Sequence, residues 1–258
     1  EGNITAELMT KRTLNVTSPQ DSDWVKINSG TTGFYRVKYS KSELDALSRA
    51  VNSMELGPAD RLGLLEDTFA LVRARFTGAS DYLSLLTSYK ADQDYSVWAA
   101  IAGQLSSLER LVYNQPFKKE FYASNQLLFR QVVDSVGWES GVDETHLISL
   151  LRSVVLNQSG HFGNSSVLDE ANKRFKKFLI DGSSITPDLR GVIYALAAES
   201  GDEATFEQLL QLAEKFDLQE EKIRIHGALT RFQQPSLITR ALELSLDQDV
   251  IRIQDTPR

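Results

Sequence analysis

The period of the apolar residues changes at residue 40. Tyr35, Val37 and Tyr39 alternate with Arg36 and Lys38, the two-residue period of a half-buried strand, whereas from Ser40 onward apolar side chains recur every three or four positions. Upstream, Thr5 to Met9 and Thr13 to Thr17 carry β-formers, Trp24-Val25-Lys26-Ile27 alternates, and Asn28 to Gly33 supplies turn chemistry. The spacing predicts three or four short strands over 5–39. Too few to enclose a core, they read as the end of a sheet whose other strands lie upstream of residue 1.

Helical signals follow one another from there. Ser40 and Glu43 form an S-x-x-E capping box ahead of Leu44, Leu47 and Val51. Gly57-Pro58 opens a stripe of Leu62, Leu65, Phe69, Val72 and Phe76, which Leu64 and Leu71 widen. Further stripes run through Val97, Ile101, Leu105, Leu108 and Val112, through Phe121, Leu128, Val132 and Val136, and after the Thr186-Pro187 start pair. Phe206, Leu209 and Ala213, then Ile225, Leu229 and Phe232, then Ile238 and Leu242 complete the series. Helix pairs are predicted to start near residues 41, 79, 116, 164, 202 and 235. That rhythm is the one of HEAT and armadillo-like stacks, which repeat every ~33–47 residues. The expected fold is mainly α: residues 40–258 as an α-α superhelix, and residues 1–39 as the end of a sheet, which the resemblance described below makes the C-terminal part of a small β-sandwich.

Composition narrows the chemistry. At 258 residues with 41% hydrophobic and 24% charged content the chain can build a large core, and it has no cysteine, which removes disulfides, thiolate metal sites and cysteine nucleophiles together. A cysteine-free chain fits a reducing compartment, and the cytoplasm is expected. Sequons at Asn3, Asn15, Asn157 and Asn164 are also compatible with the endoplasmic reticulum or a secretory route. A net charge of -7, with the acidic excess in the helical part, argues against a nucleic-acid surface, and no apolar run reaches the ~18–20 residues of a membrane span.

Catalytic motifs are missing. The three histidines, His146, His161 and His226, form no H-E-x-x-H, and there is no G-x-S-x-G elbow, P-loop or G-x-G-x-x-G turn. Glu144-Thr145-His146 reads as a helix start, and Gly160-His161-Phe162-Gly163 as a linker. In NKRFKKF (172–178) Phe175 and Phe178 fit a buried seam with Lys173, Lys176 and Lys177 in solvent. Glu66-Asp67 and the run 219–222 read as solvated helix faces.

Four landmarks carry a resemblance across almost the whole chain. WVKINSGTTGFYRVKY (24–39), ADRLGLLEDTFAL (59–71), SVGWES with DETHLISLLRSVVL (135–155) and DVIRIQDT (249–256) stand in the order of the gluzincin zinc aminopeptidases, of the puromycin-sensitive, endoplasmic-reticulum and plant aminopeptidase M type, which the sequence resembles. The resemblance implies the end of that family's β-sandwich plus much of its helical superhelix. Such a piece is noncatalytic: it caps the active site and shapes a chamber for peptides, whose N-terminal residues the parent enzyme removes. Zinc would belong to the parent's catalytic domain, and none to this chain. The implied partners are that catalytic domain and peptide substrates, with no nucleic acid and no membrane segment. In family members that take long peptides, basic and aromatic side chains of this region hold the substrate C-terminus; here Tyr89 and Lys90 are the candidates, against the plainer reading of Lys90 as a cation at a helix end. A freestanding α-solenoid adaptor is the competing reading.

Overall fold

The computed structural model describes residues 4–16 and 22–255. Asn3 and Thr17, which belong to two of the sequons, and Thr256, which closes the last landmark, lie outside them. Eleven α-helices are formed among the described residues. They are α1 (Lys41–Asn52), α2 (Pro58–Arg73), α3 (Ala79–Leu86), α4 (Tyr95–Val112), α5 (Lys118–Val136) and α6 (His146–His161). The chain continues through α7 (Ser165–Ile180), α8 (Pro187–Glu199), α9 (Glu203–Lys215), α10 (Gln219–Leu229) and α11 (Pro235–Leu246). The odd-numbered helices begin within two residues of the pair starts read from the sequence.

Local chemistry sets these ends. Ser40 Oγ accepts from Glu43 N while Glu43 Oε2 accepts from Ser40 N at 2.7 Å, closing the expected capping box, and the same hydrogen bonds hold the Glu43 carboxyl below its ordinary range. Asp94, Asn164 and Asp202 accept from backbone amides at the starts of α4, α7 and α9, and proline opens α2, α8 and α11. Ser40→Ala removes one acceptor from the α1 start. It is expected to cost about 0.5–2 kcal/mol in urea unfolding, with Ser40→Asp restoring most of the loss.

The strands expected over 5–39 do not form among the described residues. A strand needs a paired backbone, and here the donors go elsewhere. Gly30 N donates to Asp60 Oδ1 at 2.7 Å, Val37 N to Asp67 Oδ2 at 3.1 Å, and Ile27 N to the Tyr39 hydroxyl at 2.9 Å. Residues 22–39 therefore lie along α2 as an irregular segment whose one regular element is the 3-10 turn Ser29–Thr31. Gly63 makes the approach possible, because a Cβ there would collide with the Thr31 side chain. Burial and a nearby Asp67 and Asp60 push the Tyr39 phenol up to about 12, with the hydrogen bond to Ile27 opposing.

The helices gather into two units, one formed by residues 1–118 with 130–135, the other by 119–129 with 136–258. In the first, α2 packs on α3 and α4 around Leu64, Leu65, Tyr82, Trp98 and Ile101, all out of solvent. In the second, α8 packs on α6, α7 and α10, and Leu151, Val155, Ile193, Leu196 and Ile225 are 0% exposed.

Candidate functional site

Lys90 follows a tightened helix end. α3 stops at Leu86 and the chain narrows into the 3-10 turn Thr87–Tyr89, with Thr87 Oγ1 and Ser88 Oγ donating back to Ser84 O and Leu85 O, each at 2.7 Å. Tyr89 is 0% exposed, and its hydroxyl donates to Arg61 O at 2.7 Å. Burial, with Asp92 nearby, pushes this phenol well above its ordinary value, so it stays a neutral donor. Lys90 itself is exposed. Of the two residues singled out from the sequence, Lys90 is open to a ligand and Tyr89 anchors the turn that carries it.

The other side of the turn is pinned by the same residue of α2. Arg61 donates through Nε to Asp92 Oδ2 at 2.6 Å and through Nη2 to Asp92 Oδ1 at 3.1 Å, a bidentate pair whose side chains are 5% and 0% exposed. Its remaining Nη1 donates to Leu56 O at 2.7 Å. Asp92 also accepts from Asp94 N at 2.8 Å, and its carbonyl accepts from Trp98 Nε1 at 2.9 Å. Charged partners buried together this way hold geometry by hydrogen bonding as much as by attraction. Arg61 thus fixes both Tyr89 and Asp92, and Lys90 stands on a rigid support between them.

Arg61 lies inside the ADRLGLLEDTFAL landmark, where nothing in the sequence gives it a role, and Asp92 lies in no motif. The signal for Arg61 was an arginine on the apolar side of a predicted helix. For Asp92 there was no local signal, because its partner is 31 residues away.

Of the acidic pair in the same stretch, Asp67 is buried, contrary to expectation, and Glu66 is half-buried. Asp67 is 3% exposed and accepts from Arg36 Nη1 at 3.0 Å besides Val37 N, and Glu66 accepts from Gln104 Nε2 at 3.2 Å. In the second unit Glu221 is 1% exposed; it accepts from the Tyr194 hydroxyl at 3.2 Å and pairs with Arg224 and Arg190. Tertiary partners from α4, α8 and the 22–39 segment draw these carboxylates inward. NKRFKKF behaves as read: Phe175 and Phe178 are buried and the three lysines exposed.

The histidines stand in separate surroundings. His146 opens α6 and is exposed, His161 closes it against Glu199 at 2.7 Å, and His226 is buried on α10. Glu144 is committed to Arg152 and to Gly141 N, which lowers its carboxyl to about 2. Among the described residues no group of three or more His, Cys, Asp or Glu side chains is placed to hold a metal ion. No helix among them is long and apolar enough to cross a membrane.

A model of the ERAP1-like C-terminal domain family matches residues 24–258. The chain is 34% identical over 249 residues to "Aminopeptidase M1" of Arabidopsis thaliana, covering 90% of this chain and 27% of that protein. It is 31% identical to "Glutamyl aminopeptidase" of Sus scrofa, covering 94% and 26%, and 29% identical to "Puromycin-sensitive aminopeptidase" of Caenorhabditis elegans, covering 90% and 25%. It spans about a quarter of the length of these relatives.

Proposed function

Since the chain belongs to the ERAP1-like C-terminal domain family, we propose that it is the noncatalytic C-terminal region of a zinc-dependent aminopeptidase, capping the active site and shaping the chamber that receives peptides. The parent enzyme would hold the zinc in its catalytic domain and remove N-terminal residues from peptides; the names of these three relatives, each an aminopeptidase, support that reading. Residues 40–258 would form one stacked α-α superhelix, and residues 1–39 would complete a β-sandwich. Support for the second point is the alternation of residues 34–39 and the exposure of Phe34 and Tyr35, which leaves side chains for a neighbouring sheet to cover. A cysteine-free chain suits the cytoplasm. Asn157 and Asn164 favour the same compartment, since Ser159 of the first sequon is buried and the Asn164 side chain is spent capping α7 and bonding Ser159.

The observation that carries the substrate reading is Lys90, an exposed ammonium on a turn held from both sides by Arg61. Lys90 would bind the C-terminal carboxylate of a long peptide, and Tyr89 would position it. In the full-length enzyme, Lys90→Ala is expected to lower kcat/KM for long peptides about tenfold, the scale of one charge-assisted hydrogen bond, and to leave single-residue reporter substrates unchanged. Lys90→Arg should keep most of the activity on long peptides. An equal effect on both substrate classes overturns the assignment.

A further inference from the structure

A cleft of about 250 Å³ opens in the first unit where residues 37–41, α1, the end of α2 and the start of α3 meet. Its floor is apolar: Val37 and Leu44 are buried and Leu71 is half-buried. Phe76 lines one side and is 64% exposed. The backbone holds it there. After α2, Arg75 takes φ +63°, a left-handed position usually given to glycine, and Phe76 N donates back to Leu71 O at 2.8 Å. At such a helix end the residue that makes this bond ordinarily packs on the one that accepts it, whereas Phe76 stays mostly uncovered.

Around this floor positive charge exceeds negative. Lys38 is exposed, and its ammonium has no ion-pair or hydrogen-bond partner among the described residues. Lys41 Nζ stands 3.7 Å from Asp81 Oδ1 and 3.8 Å from Asp45 Oδ1, too far for a hydrogen bond, with its side chain 73% exposed. Pairs this open contribute little, so Lys41 is free to turn to a closer anion. Asp81 is the one carboxylate that lines the cleft. Thr77 adds a hydroxyl that bonds nothing else among the described residues, whereas the Thr68 hydroxyl is spent on Leu64 O at 2.7 Å. Arg73 and Arg75, just before Phe76, are exposed and unpaired as well, in a chain whose net charge is -7.

We propose that this cleft binds a small monocarboxylic acid with one compact apolar group, the apolar group lying against Phe76 over Val37, Leu44 and Leu71, and the carboxylate held between Lys38 and Lys41. Size sets the class. An apolar cavity of about 150 Å³ takes a benzene ring, so 250 Å³ leaves room for one ring and a short acid-bearing arm. Charge sets the sign, since two ammonium groups against one carboxylate favour an anion over an amine. Neither part suffices alone: exposed lysines hold a bare anion weakly, and the apolar floor gives a neutral ring no orientation. The cleft shares no residue with the turn around Lys90, so the two proposals stand or fall separately.

Titration of the whole chain with 3-phenylpropanoate, followed by two-dimensional amide NMR at neutral pH, tests this. Saturable shifts are expected at residues 37–41, 44, 71 and 76–78, with a Kd of about 1–5 mM, the scale of a ligand of this size. Propanoate, which lacks the ring, and 3-phenylpropanamide, which lacks the charge, should each bind about tenfold more weakly. Lys38→Gln should weaken the acid about fivefold and leave the amide unchanged, whereas Phe76→Ala should weaken both. Both side chains are exposed, so neither substitution is expected to disturb folding. No saturable shift at these residues by about 20 mM, equal binding of acid and amide, or an affinity for the acid that survives Lys38→Gln overturns the proposal. Preference for an acetylated and amidated Phe-Glu dipeptide over 3-phenylpropanoate overturns it too, by making the cleft a dock for a protein segment.

Discussion

Arg61→Met is expected to destabilise the first unit by about 3–5 kcal/mol, the cost of leaving a buried carboxylate without its partner. Asp92 has a fully buried side chain, and the guanidinium supplies two of the hydrogen bonds to its oxygens. The methionine fills much of the vacated volume, so the loss measures the stranded charge more than a cavity. Adding Asp92→Leu should return most of the stability, because an apolar pair replaces an ionic one without an orphan. Urea unfolding followed by tryptophan fluorescence is a direct probe, since Trp98 donates to the Asp92 carbonyl. A loss under about 1 kcal/mol for Arg61→Met, or no recovery in the double variant, would show that water reaches Asp92 and that the pair does not hold the turn. Under the proposed function the same substitution should weaken long-peptide binding without touching Lys90, through the displaced support.

That dependence explains which features the sequence disclosed. Helix starts were legible because caps and prolines act within a few residues: the box at Ser40 and Glu43 and the Thr186-Pro187 pair lie where they were placed. The pairing rhythm came with them. The buried face of α2 was harder. The spacing runs its stripe through Leu62, Leu65, Phe69, Val72 and Phe76, yet the helix ends at Arg73, Phe76 is 64% exposed, and Arg61, Asp67 and Thr68 are buried alongside Leu65 and Phe69. Hydrophobic periodicity weights polar side chains as outward, and it fails where partners 30 or so residues away satisfy them. The strands failed for a related reason: alternation in residues 34–39 describes a segment with two unlike faces, but a sheet also needs a neighbouring backbone. Lys90 was reachable as a cation at a helix end, whereas Arg61 and Asp92, which hold it, become recognisable only when α2 and the turn after α3 are side by side.

Phe162→Ala is expected to cost about 3–5 kcal/mol, in a stretch that the sequence presented as a linker. The G-H-F-G tetrapeptide is instead a helix end folded into the core of the second unit. α6 runs through His161, and Gly163 N and Asn164 N close its last turn by donating to Gly160 O and Ser159 O at 2.8 and 3.0 Å. Gly163 takes φ +88°, which a side chain would strain, and a Cβ on Gly160 would meet Leu196 Cδ2 at 2.5 Å where α6 crosses α8. Phe162 is 0% exposed and meets Phe121 and Tyr122 edge-on, with ring centroids 6.0 and 5.4 Å away, and Phe129 at 6.1 Å. Such aromatic pairs add to the burial itself, so truncation removes area and several oriented contacts together. Phe162→Leu, which keeps the apolar volume but not the edge contacts, should lose roughly 1–2 kcal/mol. Leu246→Ala, at a position 82% exposed, is the control and should change stability by less than about 0.5 kcal/mol. Urea unfolding read through Trp138 fluorescence separates the outcomes. A Phe162→Ala loss no larger than the Leu246 control would mean that the helix end is held by its backbone hydrogen bonds alone and that the aromatic cluster packs without anchoring it.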